Sequence, residues 1–196
     1  MKVMPWEKQF NRDEALDKAM QAFWSRGYSA TSMQDLVEAM GVNRGSLYAT
    51  FGDKHDLFLS ALRMFDERVR AKLLATLTAE YPPREAIGQL FLVFQKEATQ
   101  PGGNRGCLLT NTALELAAHD PDAARIVAEA QRQIEAFFRS RIEAGRASGD
   151  IAEGRSSLDM ARGLLASLIG LMVLIRSRPE PVLLESVVQE ALSRLD

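Results

Sequence analysis

The sequence predicts an all-α protein of about nine helices. Three observations point there: apolar residues recur at three- and four-residue spacing along the chain, no stretch alternates apolar and polar long enough for a strand, and glycines and prolines punctuate the periodic runs. Asn11 followed by Glu14 has the spacing of a capping box opening the first helix. Leu16, Ala19, Met20 and Phe23 make its apolar face, and Gly27 stops it. Thr31 with Gln34 repeats the opening signature, and Met33, Leu36, Val37 and Met40 form a second face ending at Gly41-Val42. Asn43 caps a short third helix with apolar positions Leu47, Tyr48 and Phe51. Gly52 breaks it, and Asp53 caps a fourth helix that Leu57, Phe58, Ala61, Leu62, Phe65 and Val69 carry to about Leu77. After the Tyr81-Pro82-Pro83 break, helices are expected at about Arg84–Thr99, Cys107–Ala118, Asp122–Ala147, Ser157–Ile175 and Pro181–Leu195.

Composition narrows the class. The chain has 196 residues, 46% hydrophobic and 26% charged, with 24 Lys+Arg against 26 Asp+Glu and a formal net charge of -2. That is one domain or two small ones, large enough to bury a core without disulfide or metal staples. A single cysteine, Cys107, excludes an intramolecular disulfide framework and suggests a reducing cytoplasm. Cys107, His55 and His119 are too few for a zinc cluster, and no metal is expected. The charge balance excludes a cationic coat for indiscriminate nucleic-acid binding but allows a small basic face. Met1 to Phe10 is polar and broken by Pro5, unlike a signal peptide. Gly163–Ile175, flanked by Arg162 and Arg176, falls short of the ~20 apolar residues of a membrane span and reads as a core or interface helix. No nucleotide-binding, zinc-protease or hydrolase motif occurs. Gly102-Gly103-Asn104-Arg105-Gly106 lacks a preceding strand and a following Lys-[Ser/Thr], and both histidines sit at exposed helix ends. The chain is expected to be no enzyme and to carry no cofactor.

The strongest motif lies between Thr31 and Lys54. Two short helices around a tight Gly41-Val42 turn have the layout of a helix-turn-helix, in which the second helix enters the DNA major groove. Thr31 and Ser32 fall at a helix start suited to phosphate. Arg44 can reach guanine or phosphate, Gly45 permits close approach, and Ser46 supplies a short hydrogen-bonding group. Tyr48 and Lys54 are of the types that grip phosphate, and Gln34 can pair with adenine. Lys2 and Lys8 are placed on an N-terminal arm. Against this, the first sixty residues hold seven Lys/Arg and eight Asp/Glu, so the segment is not basic overall.

Gly27-Tyr28-Ser29-Ala30-Thr31-Ser32-Met33, then Gly41-Val42-Asn43-Arg44-Gly45-Ser46-Leu47-Tyr48, then Phe51, Lys54 and Leu57 resemble the N-terminal domain of the tetracycline-repressor (TetR) family over roughly Asn11 to Leu59. The resemblance implies a homodimeric, ligand-responsive transcriptional regulator, usually a repressor. Its partners would be a palindromic double-stranded DNA operator and a small-molecule effector. It would divide into a DNA-binding domain at 1–60 (motif about 32–51) and a helical regulatory, ligand-binding and dimerisation domain at 61–196. The competing class is a helical protein–protein interaction module that has lost DNA binding.

In the C-terminal part, Phe91, Phe94, Cys107, Leu108, Asn111, Glu115, Phe137 and Phe138 are the candidates for a ligand pocket, the apolar ones equally readable as core. Gly106 to Leu116 also resembles a run in one branch of the family. Cys107, with Arg105 close by, is expected in the first turn of a helix, where a thiolate is favoured and an electrophile could act as effector; the alternative is a small buried side chain. Gly163, Ala166, Gly170, Val187 and Leu192 are expected in a dimer interface formed by the last two helices.

Overall fold

The structure, a computed structural model, describes residues 10–100 and 102–196. Lys2 and Lys8 lie outside the described residues. Among the described residues every regular element is helical. They divide into two compact units, Met1–Met64 and Phe65–Asp196.

The first unit holds α1 (Arg12–Arg26), α2 (Met33–Met40), α3 (Arg44–Phe51) and α4 (Lys54–Phe65), the last residue of α4 lying just past the boundary. Asn11 Oδ1 accepts from the backbone N–H of Asp13 and Glu14 at 3.0 and 3.3 Å, satisfying two of the donors that a helix start leaves open. Glu14 does not return the bond; its carboxylate takes Lys18 at 2.8 Å, one turn on. The start of α2 is one residue later than expected. Ser32, not Thr31, is the cap: its Oγ accepts from Asp35 N at 3.1 Å, while Asp35 accepts from Ser32 N at 2.8 Å. At the other end Gly41 adopts a left-handed φ of 67°, a conformation that costs glycine least. Asn43 Oδ1 then accepts from Ser46 N at 2.8 Å and opens α3.

Leu47 and Phe51, four residues apart, are buried, whereas Tyr48, about a quarter turn away, is 41% exposed, so it is not the core position its apolar ring suggests. Phe23 meets Phe58 edge-on at 5.0 Å, with Leu36, Leu47 and Leu57 completely buried. Each such side chain contributes roughly 1.5–3 kcal/mol.

The second unit contains α5 (Lys72–Glu80), α6 (Pro83–Ala98), α7 (Leu108–Glu115), α8 (Pro121–Ser148), α9 (Ser157–Ser177) and α10 (Pro181–Ser193). A π-helical segment, Asp66–Ala71, precedes α5. Helix therefore continues from Lys54 to Glu80, past the expected stop at Leu77, and with that stretch taken as one the described runs number nine. The wider π turn advances the chain by a residue and turns Arg70 inward, where it is 7% exposed. Cys107 is the extended residue before α7, not part of its first turn, and α7 ends at Glu115 rather than Ala118, where Leu116 leaves helical geometry at φ −122° and the N–H groups of Leu116 and Ala117 both donate to the Thr112 carbonyl. Asp120 caps α8 through the N–H groups of Asp122 and Ala123, with Pro121 in the first turn.

Ser156 caps α9 through Asp159 N, and the helix starts at Ser157 as expected and runs 21 residues to Ser177, two past the expected end at Ile175. Length and composition would let it cross a membrane. Its buried face, including Leu164, Leu168, Leu171 and Ile175, lies in the core of this unit, where α9 packs on α8 and α10.

Candidate nucleic-acid interface

In the first unit the outward face of α3 is assembled from Arg44, Gly45, Tyr48, Ala49 and Thr50, all exposed, and α3 contains no carboxylate. The Arg44 guanidinium lies 5.7 Å from the centre of the Tyr48 ring, a cation–π contact that orders both groups and leaves the guanidinium hydrogens available. Gly45 is helical, and a Cβ there would meet Asn43 Oδ1 only at 3.4 Å. The fold does not require glycine at this point, although glycine costs roughly 1 kcal/mol against alanine in a helix. Its bare backbone is open to an outside partner. Ser46 is half-buried, with its N–H committed to Asn43.

Ser32 is exposed at the start of α2, its hydroxyl donating to Asp35 at 2.6 Å. Both bonds from Ser32, and Arg26 at 2.6 Å, hold the Asp35 carboxyl down at about 2. Gln34 points outward, but its amide donates to Glu38 at 2.9 Å. Thr31 departs from the expected contact surface. It is completely buried and its hydroxyl donates to the Gly27 carbonyl at 2.6 Å, so its side chain braces the loop. Lys54 is half-buried at the head of α4, its Nζ 4.2 Å from the centre of the Tyr28 ring.

Asp53, His55 and Asp56 bring three potential metal-ligand atoms within 4.8 Å of one another. The two carboxylates are spent on capping: Asp53 accepts from Asp56 N at 2.9 Å and Asp56 from Asp53 N at 3.3 Å.

In the second unit the candidate pocket residues separate. Phe91, Leu108, Phe137 and Phe138 are buried, with the Phe91 and Phe138 rings stacked at 5.9 Å. Phe94 and Asn111 are half-buried, Asn111 donating to the Arg105 carbonyl at 2.9 Å, and Glu115 is exposed. Two surface cavities, about 690 and 460 Å³, are lined by other residues, among them Arg146, Arg155 and Arg194 in the first and Arg84, Gly88 and Leu92 in the second.

Cys107 is buried, and burial raises its thiol above the ordinary range against the opposing pull of the Thr110 and Leu109 N–H groups and the Arg70 charge. Arg105, expected to lower it, reaches toward Glu97 at 4.0 Å instead. Arg70 is the charged residue that sequence reasoning missed. It donates to Asp66 and, at 2.7 Å, to Gln133. An Asp and an Arg four residues apart resemble an ordinary exposed helical pair, and only the π turn makes them interior.

Of the expected dimer residues, Ala166 and Gly170 are exposed, and a Cβ on Gly170 would meet nothing within 4 Å. Val187 is half-buried. Gly163 and Leu192 face their own chain: a Cβ on Gly163 would come within 2.8 Å of the Arg194 guanidinium, and Leu192 packs toward Gly88.

Residues 15–61 match the family described as bacterial regulatory proteins, tetR family, and residues 83–191 match the tetracyclin repressor-like C-terminal domain. The chain is 32% identical over 190 residues to the uncharacterized HTH-type transcriptional regulator YezE of Bacillus subtilis, covering 96% of this chain and 98% of that one. It is 33% identical over 189 residues to the HTH-type transcriptional repressor ComR of Escherichia coli, covering 94% and 87%. Among solved structures it is similar to a cysteine mutant of the TetR family transcriptional regulator CifR complexed with 26 bp of double-strand operator DNA. The TM-score is 0.82, with 30% identity and coverage of 96% of this chain and 98% of that one.

Proposed function

The chain belongs to the TetR family of bacterial regulatory proteins, and from that premise we propose that it is a ligand-responsive repressor acting in the cytoplasm as a homodimer on a palindromic operator. As a family member it is a DNA-binding transcriptional regulator and not an enzyme. The observation that carries the proposal is the exposed, carboxylate-free face of α3, fixed to α2 through Gly41 and Asn43. In this reading Arg44 contacts a base edge or phosphate, Gly45 and Ser46 let the helix approach, and Ser32, Tyr48 and Lys54 hold phosphates. Gln34 reaches the groove by exchanging Glu38 for adenine, and Thr31 acts through the loop it braces.

The dimer is proposed to form through the outward apolar side of α9 and α10, where Ala166, Gly170, Val187 and the 77%-exposed Val182 are supporting features. The effector is proposed to be an apolar small molecule entering near Phe94 and Asn111, its binding favouring a spacing of the two α3 helices that no longer fits the operator. The buried, protonated Cys107 supports reversible binding over an electrophile trigger.

Selection of bound sequences from random duplex DNA at two salt concentrations tests the proposal. A palindrome is expected, its affinity falling with salt and falling roughly tenfold or more in Arg44→Ala. No enrichment from folded dimer would overturn the reading in favour of a protein–protein module.

A further inference from the structure

Lys54 has a long flexible stem, which costs rotamer entropy to order on binding. Among the described residues, what holds its ammonium is the face of Tyr28 at 4.2 Å rather than a carboxylate. The flanking Asp53 and Asp56 are each turned onto the other's backbone N–H. The ring is itself fixed from behind. It lies against Phe58 at 4.9 Å and stacks on Phe23 at 6.2 Å, two residues at the bottom of the core. Its loop is tied by the Thr31 hydroxyl to Gly27 O and by Thr31 N to Tyr28 O at 3.2 Å. A ring face attracts the ammonium without neutralising it, so the charge remains for a phosphate.

From this geometry we infer that Tyr28 is a positioning residue for DNA binding, its ring holding Lys54 in place before a phosphate arrives. The inference rests on the DNA-binding reading above. The core supplies rigidity, Tyr28 passes it to Lys54, and the ordering cost is met on folding rather than on binding.

The test is a double-mutant cycle on the intact protein, read as affinity for the selected operator at several salt concentrations. Tyr28→Phe keeps the ring and is expected within about twofold of the parent, whereas Tyr28→Leu is expected roughly three- to fivefold weaker. Lys54→Gln should bind more weakly with a salt slope flatter by about one unit. In the Lys54→Gln background, Tyr28→Leu should cost nothing further. If Tyr28→Leu costs the same factor in both backgrounds, Tyr28 acts only through the fold and the inference is overturned; parental affinity for Tyr28→Leu overturns it too. A parent protein that selects no DNA overturns the DNA-binding reading instead, and does so before any variant is compared.

Discussion

Three cations of the first unit and one of the second are held in opposite ways. In residues 1–64, Arg12, Arg44 and Lys54 lie over the rings of Phe51, Tyr48 and Tyr28 at 5.3, 5.7 and 4.2 Å. In residues 65–196, Arg70 is turned inward, its side chain only 8% exposed, between Asp66 and Gln133. A ring steadies a cation and leaves its charge for another partner. A buried carboxylate cancels the charge, and breaking such a pair strands its partner away from water. The same residue type is therefore presented on a ring in one unit and locked to a carboxylate in the other, and the partner decides which.

The sharpest break in this comparison is Arg70→Ala. It takes the guanidinium away from the partly buried Asp66 carboxylate and is expected to destabilise the second unit by about 3–5 kcal/mol in urea unfolding. Replacing both partners, Arg70→Met with Asp66→Leu, should recover most of that loss. Equal stability of parent and Arg70→Ala would mean that the pair is solvated and the contrast false.

Thr31→Val is next. It removes a buried hydroxyl, and with it one donor to the Gly27 carbonyl, at an expected cost of about 1 kcal/mol. Operator affinity should stay within about twofold, because the hydroxyl already has its partner inside the unit. A tenfold loss of affinity with unchanged melting would return Thr31 to the contact surface.

These two residues mark where sequence reading stops. Periodicity placed Leu47 and Phe51 inside, since a helical repeat fixes which positions share a face. It could not separate Tyr48 from them, because an aromatic ring suits both a core and a wet contact. Adjacent Thr31 and Ser32 are both good caps, and the backbone chose Ser32 because Asp35, not Gln34, stands at the reciprocal position. Arg70 was illegible for another reason: an α repeat puts it outside, and the π turn that puts it inside leaves no pattern in composition. The ring contacts of Arg44 and Lys54 were half visible, with every partner present in the motif and only the three-dimensional pairing missing.

Cys107 tests the second unit more gently. Its buried thiol should react with iodoacetamide at least roughly tenfold slower in the folded protein than in the urea-unfolded chain. Because the native state holds the thiol proton more tightly, its contribution to stability is complete below the ordinary value of 9.0 and is lost as pH rises through the higher native one. Fast alkylation of folded protein at neutral pH would restore the thiolate and an electrophile trigger.

The smallest effect belongs to Asp35, half-buried in the capping box at the start of α2. Its carboxyl, ordinarily at 3.8, is held at about 2 first by the Ser32 hydroxyl, then by the Ser32 N–H and Arg26. A depressed value means that the cap's contribution is complete above the ordinary aspartate range and fades as pH falls through about 2. An NMR titration of the Asp35 side chain should show that midpoint, and Ser32→Ala should move it up further than Arg26→Ala does, since the hydroxyl bond is the larger cause. Were Arg26→Ala the greater shift, the exposed ion pair rather than the capping box would be setting the start of α2.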